Sequence, residues 1–280
     1  MTFPLNVHFA PHCGRPPLGM RILKADIRAR YDAGQNREGR LSIRTRPICE
    51  ETLNELADHG DCMELLATDL ERDGWCRFAS SSERDAAIVI MADRAVELLG
   101  RPAAGRDGAT HETIVPRLRS EAHPRSQSAA HGLDALPLHA ELSHRVVPCR
   151  YVVLGCLDPG RFGSATTTLE WRKLGFTSDE MALLKSAPLL IRNGRKSFYS
   201  TAVPRDGRFL RYDGECVEAV NARGCAALET IRARLSSVAP VAHRLHRGDI
   251  LVIDNWRTLH GREAVPEQSG RRLIRRLVDA

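Results

Sequence analysis

Apolar residues recur at helical spacing between Cys49 and Asp73, at Leu53, Leu56, Met63, Leu66 and Leu70, and Gly74 closes the pattern. Trp75 to Ala79 reads as a short strand. A second helix is predicted from Ser82, a candidate N-cap, to Leu99, with Gly100 as its stop. Residues 1–46 are rich in Arg, Pro and Gly with little periodicity, and residues 101–136 read as loop around the polar run 120–131. Loops of that length in a compact domain are usually functional, so both segments are candidate lids. The second half changes character. Tyr151 to Leu157, Ala165 to Glu170, Asp249 to Ile253 and Arg272 to Val278 read as strands, with shorter ones near Leu189, Phe198 and Phe209 to Tyr212. Helices are predicted at Ser178 to Lys185 and Cys225 to Ser236. Short strands broken by Gly and Pro turns, with helices concentrated early, predict a mainly β sandwich or barrel with helices packed outside it. One domain over 1–280 is expected: an arm (1–46), a helical flank (49–136) and a β core (137–280).

Composition narrows the classes. The chain has 280 residues, 42% of them hydrophobic, and a net charge of +6. No run approaches the roughly 18–20 continuous apolar residues of a membrane helix, and the Pro- and Gly-broken start does not resemble a signal peptide, so a cytoplasmic protein without a membrane partner is expected. The basic excess is almost entirely Arg, scattered along the chain, and aromatics are 5%. Nucleic-acid surfaces cluster basic and aromatic residues, so none is expected here. The eight cysteines include no C-x-x-C pair, which leaves reduced, buried thiols as the expectation. His8, His12 and Cys13 form a minor metal candidate.

The chemistry concentrates at His139, Glu141 and His260. In an extended strand, residues two apart share a face, so His139 and Glu141 would present a ring nitrogen and a carboxylate oxygen together. His260 follows the strongly apolar strand Asp249 to Asp254 and would join them from a neighbouring strand end. Two His and one carboxylate leave half an octahedron open, a set suited to non-haem Fe(II). An isolated H-x-E is common on protein surfaces. Three further features sharpen it: Thr166 to Thr168 downstream of His139, His260-Gly261-Arg262, and the Arg-rich strand Arg271 to Arg276.

On these residues, roughly 125–280 of the chain resembles the taurine dioxygenase/clavaminate synthase superfamily of Fe(II)- and 2-oxoglutarate-dependent oxygenases. The resembling segments are Pro137-Leu-His-Ala-Glu141, Thr168-Leu169, Asn255-Trp-Arg-Thr-Leu-His-Gly-Arg262 and Arg272 to Arg276. Glu at position 141 is similar to the asparagine oxygenase branch. It argues against a halogenase, in which a small residue replaces the acid. Ala140 stands where the family usually has Thr or Ser, which removes a hydroxyl but no ligand.

The resemblance implies a double-stranded β-helix (jelly roll) with flanking helices. It implies Fe(II) on His139, Glu141 and His260, with 2-oxoglutarate and O2 as co-substrates. The distal carboxylate of 2-oxoglutarate would meet Arg276, or Arg272 on the same face, because a planar guanidinium grips a carboxylate bidentately. Thr168, or Thr166, would donate to the same carboxylate. The implied reaction hydroxylates a C–H of a small amino-acid-like or natural-product substrate and releases succinate and CO2. Arg195, Phe198 and Arg211 are candidate substrate contacts, Arg211 alternatively a surface ion pair with Asp213. Two other readings stand beside this one: a non-enzymatic basic binding module on a degenerate oxygenase fold, and a zinc hydrolase on the same ligands. The hydrolase gives no reason for the Thr and the Arg.

Overall fold

The computed structural model describes residues 68–80, 82–105, 108–122 and 126–279. The chain divides into units Met1–Cys49 and Glu50–Ala280, and every described residue belongs to the second. The arm 1–46, the His8, His12 and Cys13 candidate and the start of the first helix lie outside the described residues. Along the chain come β1 (Trp75–Ala79), α1 (Asp85–Leu99), β2 (Arg101–Ala103), β3 (Glu112–Ile114), α2 (Gln127–His131), β4 (Leu136–His139), β5 (Tyr151–Asp158) and β6 (Thr166–Glu170). There follow α3 (Ser178–Ser186), β7 (Leu189–Ile191), β8 (Phe198–Ser200), β9 (Val217–Ala219), α4 (Ala222–Ser236), β10 (Val241–His243), β11 (Asp249–Asp254), β12 (Thr258–Arg262) and β13 (Arg272–Asp279). The fold is mixed, helices around antiparallel sheets.

A six-stranded sheet runs β1-β11-β5-β13-β2, with β3 also on β13, and a four-stranded sheet runs β10-β6-β12-β4. β5 and β11, inner strands of the larger sheet, are near-continuous apolar runs because both faces are covered. On the outer face, Ile88, Met91, Ala92, Ala95 and Val96 of α1 pack on Val153, Ile250, Val252, Ile274 and Val278. Gly155 lets the helix approach: a Cβ there would meet Ile274 at 2.7 Å and Ile88 at 3.1 Å. On the inner face, Val152, Leu154, Leu251, Ile253, Leu273 and Leu277 form a second cluster. Each such aliphatic side chain contributes roughly 1.5–3 kcal/mol by leaving water. Between β6 and β10 the chain inserts a three-stranded sheet, β8-β7-β9, which packs with α3 and α4 around Leu184, Leu189, Ile191 and Ile231.

Several elements depart from expectation. The helix predicted from Ser82 begins at Asp85; the Ser82 hydroxyl accepts from Arg84 N–H at 3.3 Å and turns the chain just before it. The helix predicted from Cys225 begins at Ala222, because Asn221 caps Gly224 N–H at 2.9 Å. Residues 101–136 are not one loop, since β2, β3 and α2 lie within them. Phe209 to Arg211 is buried and Tyr212 half-buried, but the segment joins no ladder. Arg211 N–H donates to Ala202, and the Tyr212 carbonyl accepts from Ala140. Gly74 stops the first helix as expected, at φ 76°. Cys76, Cys149, Cys156 and Cys216 are buried, and Cys225 is exposed. No helix among the described residues is long and apolar enough to cross a membrane.

Candidate metal centre

The two larger sheets enclose a cavity of about 260 Å³ lined by residues of both, among them His139, Thr166 and His260 from one and Leu154, Leu273 and Arg275 from the other. His139, the last residue of β4, pairs in register with His260 of β12. Their rings stand 4.5 Å apart. Glu141 follows in the turn after β4, with Oε2 3.8 Å from His260 Nε2. One ligand atom from each residue lies within 4.8 Å of the others. Glu141 is thus not aimed by strand alternation, because β4 stops two residues before it.

The protonation states suit a cation. Burial alone would raise the Glu141 carboxyl, but the charge of Arg275 and the nearby rings of His260 and His139 outweigh it and hold it well below the usual carboxylate range. Burial, together with His139, lowers His260, so its ring is neutral at neutral pH. His139 Nδ1 lies 2.9 Å from the Pro137 carbonyl; donating there, it leaves Nε2 bare to ligate. His260 Nδ1 is buried without a partner. Two imidazoles and a carboxylate beside open space are a donor set that fits Fe(II).

The structure places the arginines of β13 differently from expectation. Arg276, expected to hold 2-oxoglutarate, lies on the opposite face of β13, where Nε donates to Asp93 of α1 at 2.7 Å. Arg272 is also turned away, 3.6 Å from Asp85. Arg271 and Arg275 line the cavity instead. The reason is strand parity: 271, 273 and 275 face inward, and 272, 274 and 276 face α1. Arg271 is 4% exposed, and its Nη2 donates to Thr166 Oγ1 at 3.0 Å. It makes no ion pair among the described residues. Burial and the neighbouring charge of Arg262 lower its pKa to about 10. Thr168 Oγ1 is engaged at 2.7 Å by His243 Nε2, whereas Thr166, the alternative from sequence, opens on the cavity. Arg275 Nη1 donates to Glu141 Oε2 at 2.6 Å, and its other nitrogens hold Glu112.

The three candidate substrate contacts do not line this cavity. Arg195 is exposed, and Phe198 packs beside the guanidinium of Arg211, 5.4 Å from the ring centre. Arg211 is 1% exposed and is no surface ion pair; it donates to the carbonyls of Ser143, Arg145 and Val146. Asp213, expected to pair with it, instead lines the cavity and accepts from Gln127 Nε2 at 3.0 Å. Arg271, Arg275 and Asp213 are cavity residues the sequence reasoning did not select. For the two arginines no periodic signal existed, because β13 is apolar on both faces.

Residues 178–278 match the taurine catabolism dioxygenase TauD, TfdA family. Over that segment the chain resembles TauD. The matched segment carries His260, Arg271 and Arg275, while His139 and Glu141 precede it. Among solved structures, asparagine oxygenase in complex with Fe(II), 2S,3S-3-hydroxyasparagine and succinate shares the fold at TM-score 0.63 and 22% identity, over 82% of each chain. The non-haem iron oxygenase OrfP in complex with Fe and alpha-ketoglutaric acid does so at TM-score 0.62 and 18% identity, over 82% of this chain and 90% of that one. PvcB from Pseudomonas aeruginosa follows at 0.56 and 20%, over 78% and 80%. No curated protein matches the sequence. The matched family is one of dioxygenases.

Proposed function

We propose that this TauD-like protein hydroxylates an unactivated C–H of a small amino-acid-like substrate, using Fe(II), O2 and 2-oxoglutarate. The observation that carries the reading is the convergence of His139, Glu141 and His260, from two strands and a turn, on a cavity that also holds a buried guanidinium with no ion pair among the described residues. The sheets are read as a double-stranded β-helix. In support, the chain alternates between them through β3, β4, β5 and β6 and again through β10, β11, β12 and β13.

His139, Glu141 and His260 would hold the iron, which when bound supplies the oxidising power. The chain's own residues do the positioning. Arg271, with Thr166 beside it, meets the distal carboxylate of 2-oxoglutarate as a bidentate fork. Arg275 stands next to Glu141 and holds its carboxylate in place. Asp213 with Gln127 supplies an acceptor and a donor for the substrate's other polar end. Leu142, Val152, Leu154 and Leu273 keep the rest of the cavity apolar and exclude water. The reaction balances as substrate C–H, O2 and 2-oxoglutarate giving substrate C–OH, succinate and CO2. One oxygen atom enters the hydroxyl and the other the new carboxylate of succinate.

Anaerobic Fe(II) plus 2-oxoglutarate should give a weak visible charge-transfer band, and a screen of amino acids and their derivatives should show one whose product gains a single oxygen in step with succinate. A protein that develops no band and releases no succinate with any of them would favour the binding module.

A further inference from the structure

Glu141 is the one residue of the metal site that no strand holds. β4 ends at His139 opposite His260, and the chain then turns over 141–144, with Leu142 at φ 54°. Yet the Glu141 peptide is paired on both sides. Its N–H donates to Asn255 Oδ1 at 2.7 Å, and its carbonyl accepts from Asn255 Nδ2 at 3.0 Å. The side-chain carboxamide thus substitutes for the strand neighbour that Glu141 lacks. Nδ2 also donates to the Cys149 carbonyl at 2.8 Å. Asn255 is 1% exposed, so water does not stand in for any of these bonds.

The origin of this side chain matters. Asn255 sits in the turn between β11 and β12, fixed by its own N–H to Arg150 at 2.7 Å and by Arg257 N–H to Asp254 at 2.9 Å. β12 leaves that turn and carries His260. One connection between the two sheets therefore places two ligands, His260 on the strand that follows it and Glu141 at the end of the Asn255 reach. The grip is needed because Arg275 pulls on the Glu141 carboxylate from the other sheet.

We propose that Asn255 is a positioning residue for the metal-binding carboxylate: it holds the Glu141 main chain so that the side chain stays within ligand distance of both imidazoles. The proposal rests on the iron-site reading above. Only a carboxamide of this length provides an acceptor and two donors here. Asp keeps the acceptor, loses the donors and adds a charge beside Glu141; Ser reaches neither group.

Metal-free protein titrated with Co(II), followed by its visible d–d bands, tests it. Asn255→Ser and Asn255→Asp should bind about 10–100-fold more weakly than wild type, the usual cost of removing a residue that orients a ligand. Asn221→Ala, which removes the α4 cap far from the site, should lose stability yet keep wild-type Co(II) affinity. In metal-free wild type, which needs no variant to fold, the Glu141 amide should exchange slowly with deuterium. Wild-type affinity in both Asn255 variants, an equal loss in Asn221→Ala, or a fast Glu141 amide would each overturn the proposal. Glu141→Ala in the same titration separates the layers: if it binds Co(II) like wild type, the metal-site reading fails and takes this inference with it.

Discussion

Arg271 and Thr166 meet at 3.0 Å across the gap between the two sheets, the guanidinium arriving from the start of β13 and the hydroxyl from β6. Neither was the first choice from sequence, yet this is the pair that faces the cavity with a cation to spare.

Arg271→Gln should raise the 2-oxoglutarate requirement about 10–100-fold, the equivalent of roughly 1.5–3 kcal/mol for hydrogen bonds to a charged group. Arg276→Gln should leave that requirement unchanged and instead lower stability by about 1–3 kcal/mol, since it breaks the contact with Asp93 on α1. Succinate formation against 2-oxoglutarate concentration, with urea unfolding of both variants, decides between them. A 2-oxoglutarate effect at Arg276 with none at Arg271 would restore the sequence-based choice.

A chelator should reduce 2-oxoglutarate turnover to background, and Fe(II) should restore it where Zn(II) does not. His139→Ala and Glu141→Ala should stay at background with either ion. Absence of succinate release and O2 uptake with Fe(II) would point to the hydrolase.

Arg211→Met should destabilise the fold by about 3 kcal/mol or more, because the carbonyls of Ser143, Arg145 and Val146 lose a buried charged donor. Substrate preference should not change. A variant as stable as wild type with altered substrate choice would return Arg211 to the substrate contacts.

His243 contributes a pH dependence of stability. Burial, with the charge of Arg77, lowers its pKa from 6.5 to about 4, while its ring stands 4.4 Å from Trp75 and shares a hydrogen bond with Thr168. The unfolded chain takes up a proton near pH 6.5 that the folded chain refuses until about pH 4. The contribution is therefore complete above pH 6.5 and lost as pH falls from there toward 4. Urea midpoints measured across that window should fall less steeply in His243→Gln than in wild type. Equal slopes would show that His243 is not the group responsible.

Local pattern was enough for much of this protein. The strands at Trp75, Tyr151 and Asp249 and the helices at α1, α3 and α4 follow from apolar periodicity and capping residues, to within three residues at their starts. His139, Glu141 and His260 were legible because a metal needs particular donor atoms, and few residue types provide them. What sequence could not decide was direction. β13 is apolar at 273 and 277 and again at 274 and 278, since one face meets the inner cluster and the other meets α1. A strand buried on both sides carries no alternation, so its arginines could not be sorted into cavity and exterior. Glu141 reaches its place through Asn255, more than a hundred residues later in the chain, and Arg211 became a backbone clamp only when the turn 143–146 folded over it. The identities of the donor atoms are written in the chain. Which of them share a space depends on sheet packing, because only the opposite wall determines which face of a strand is inside.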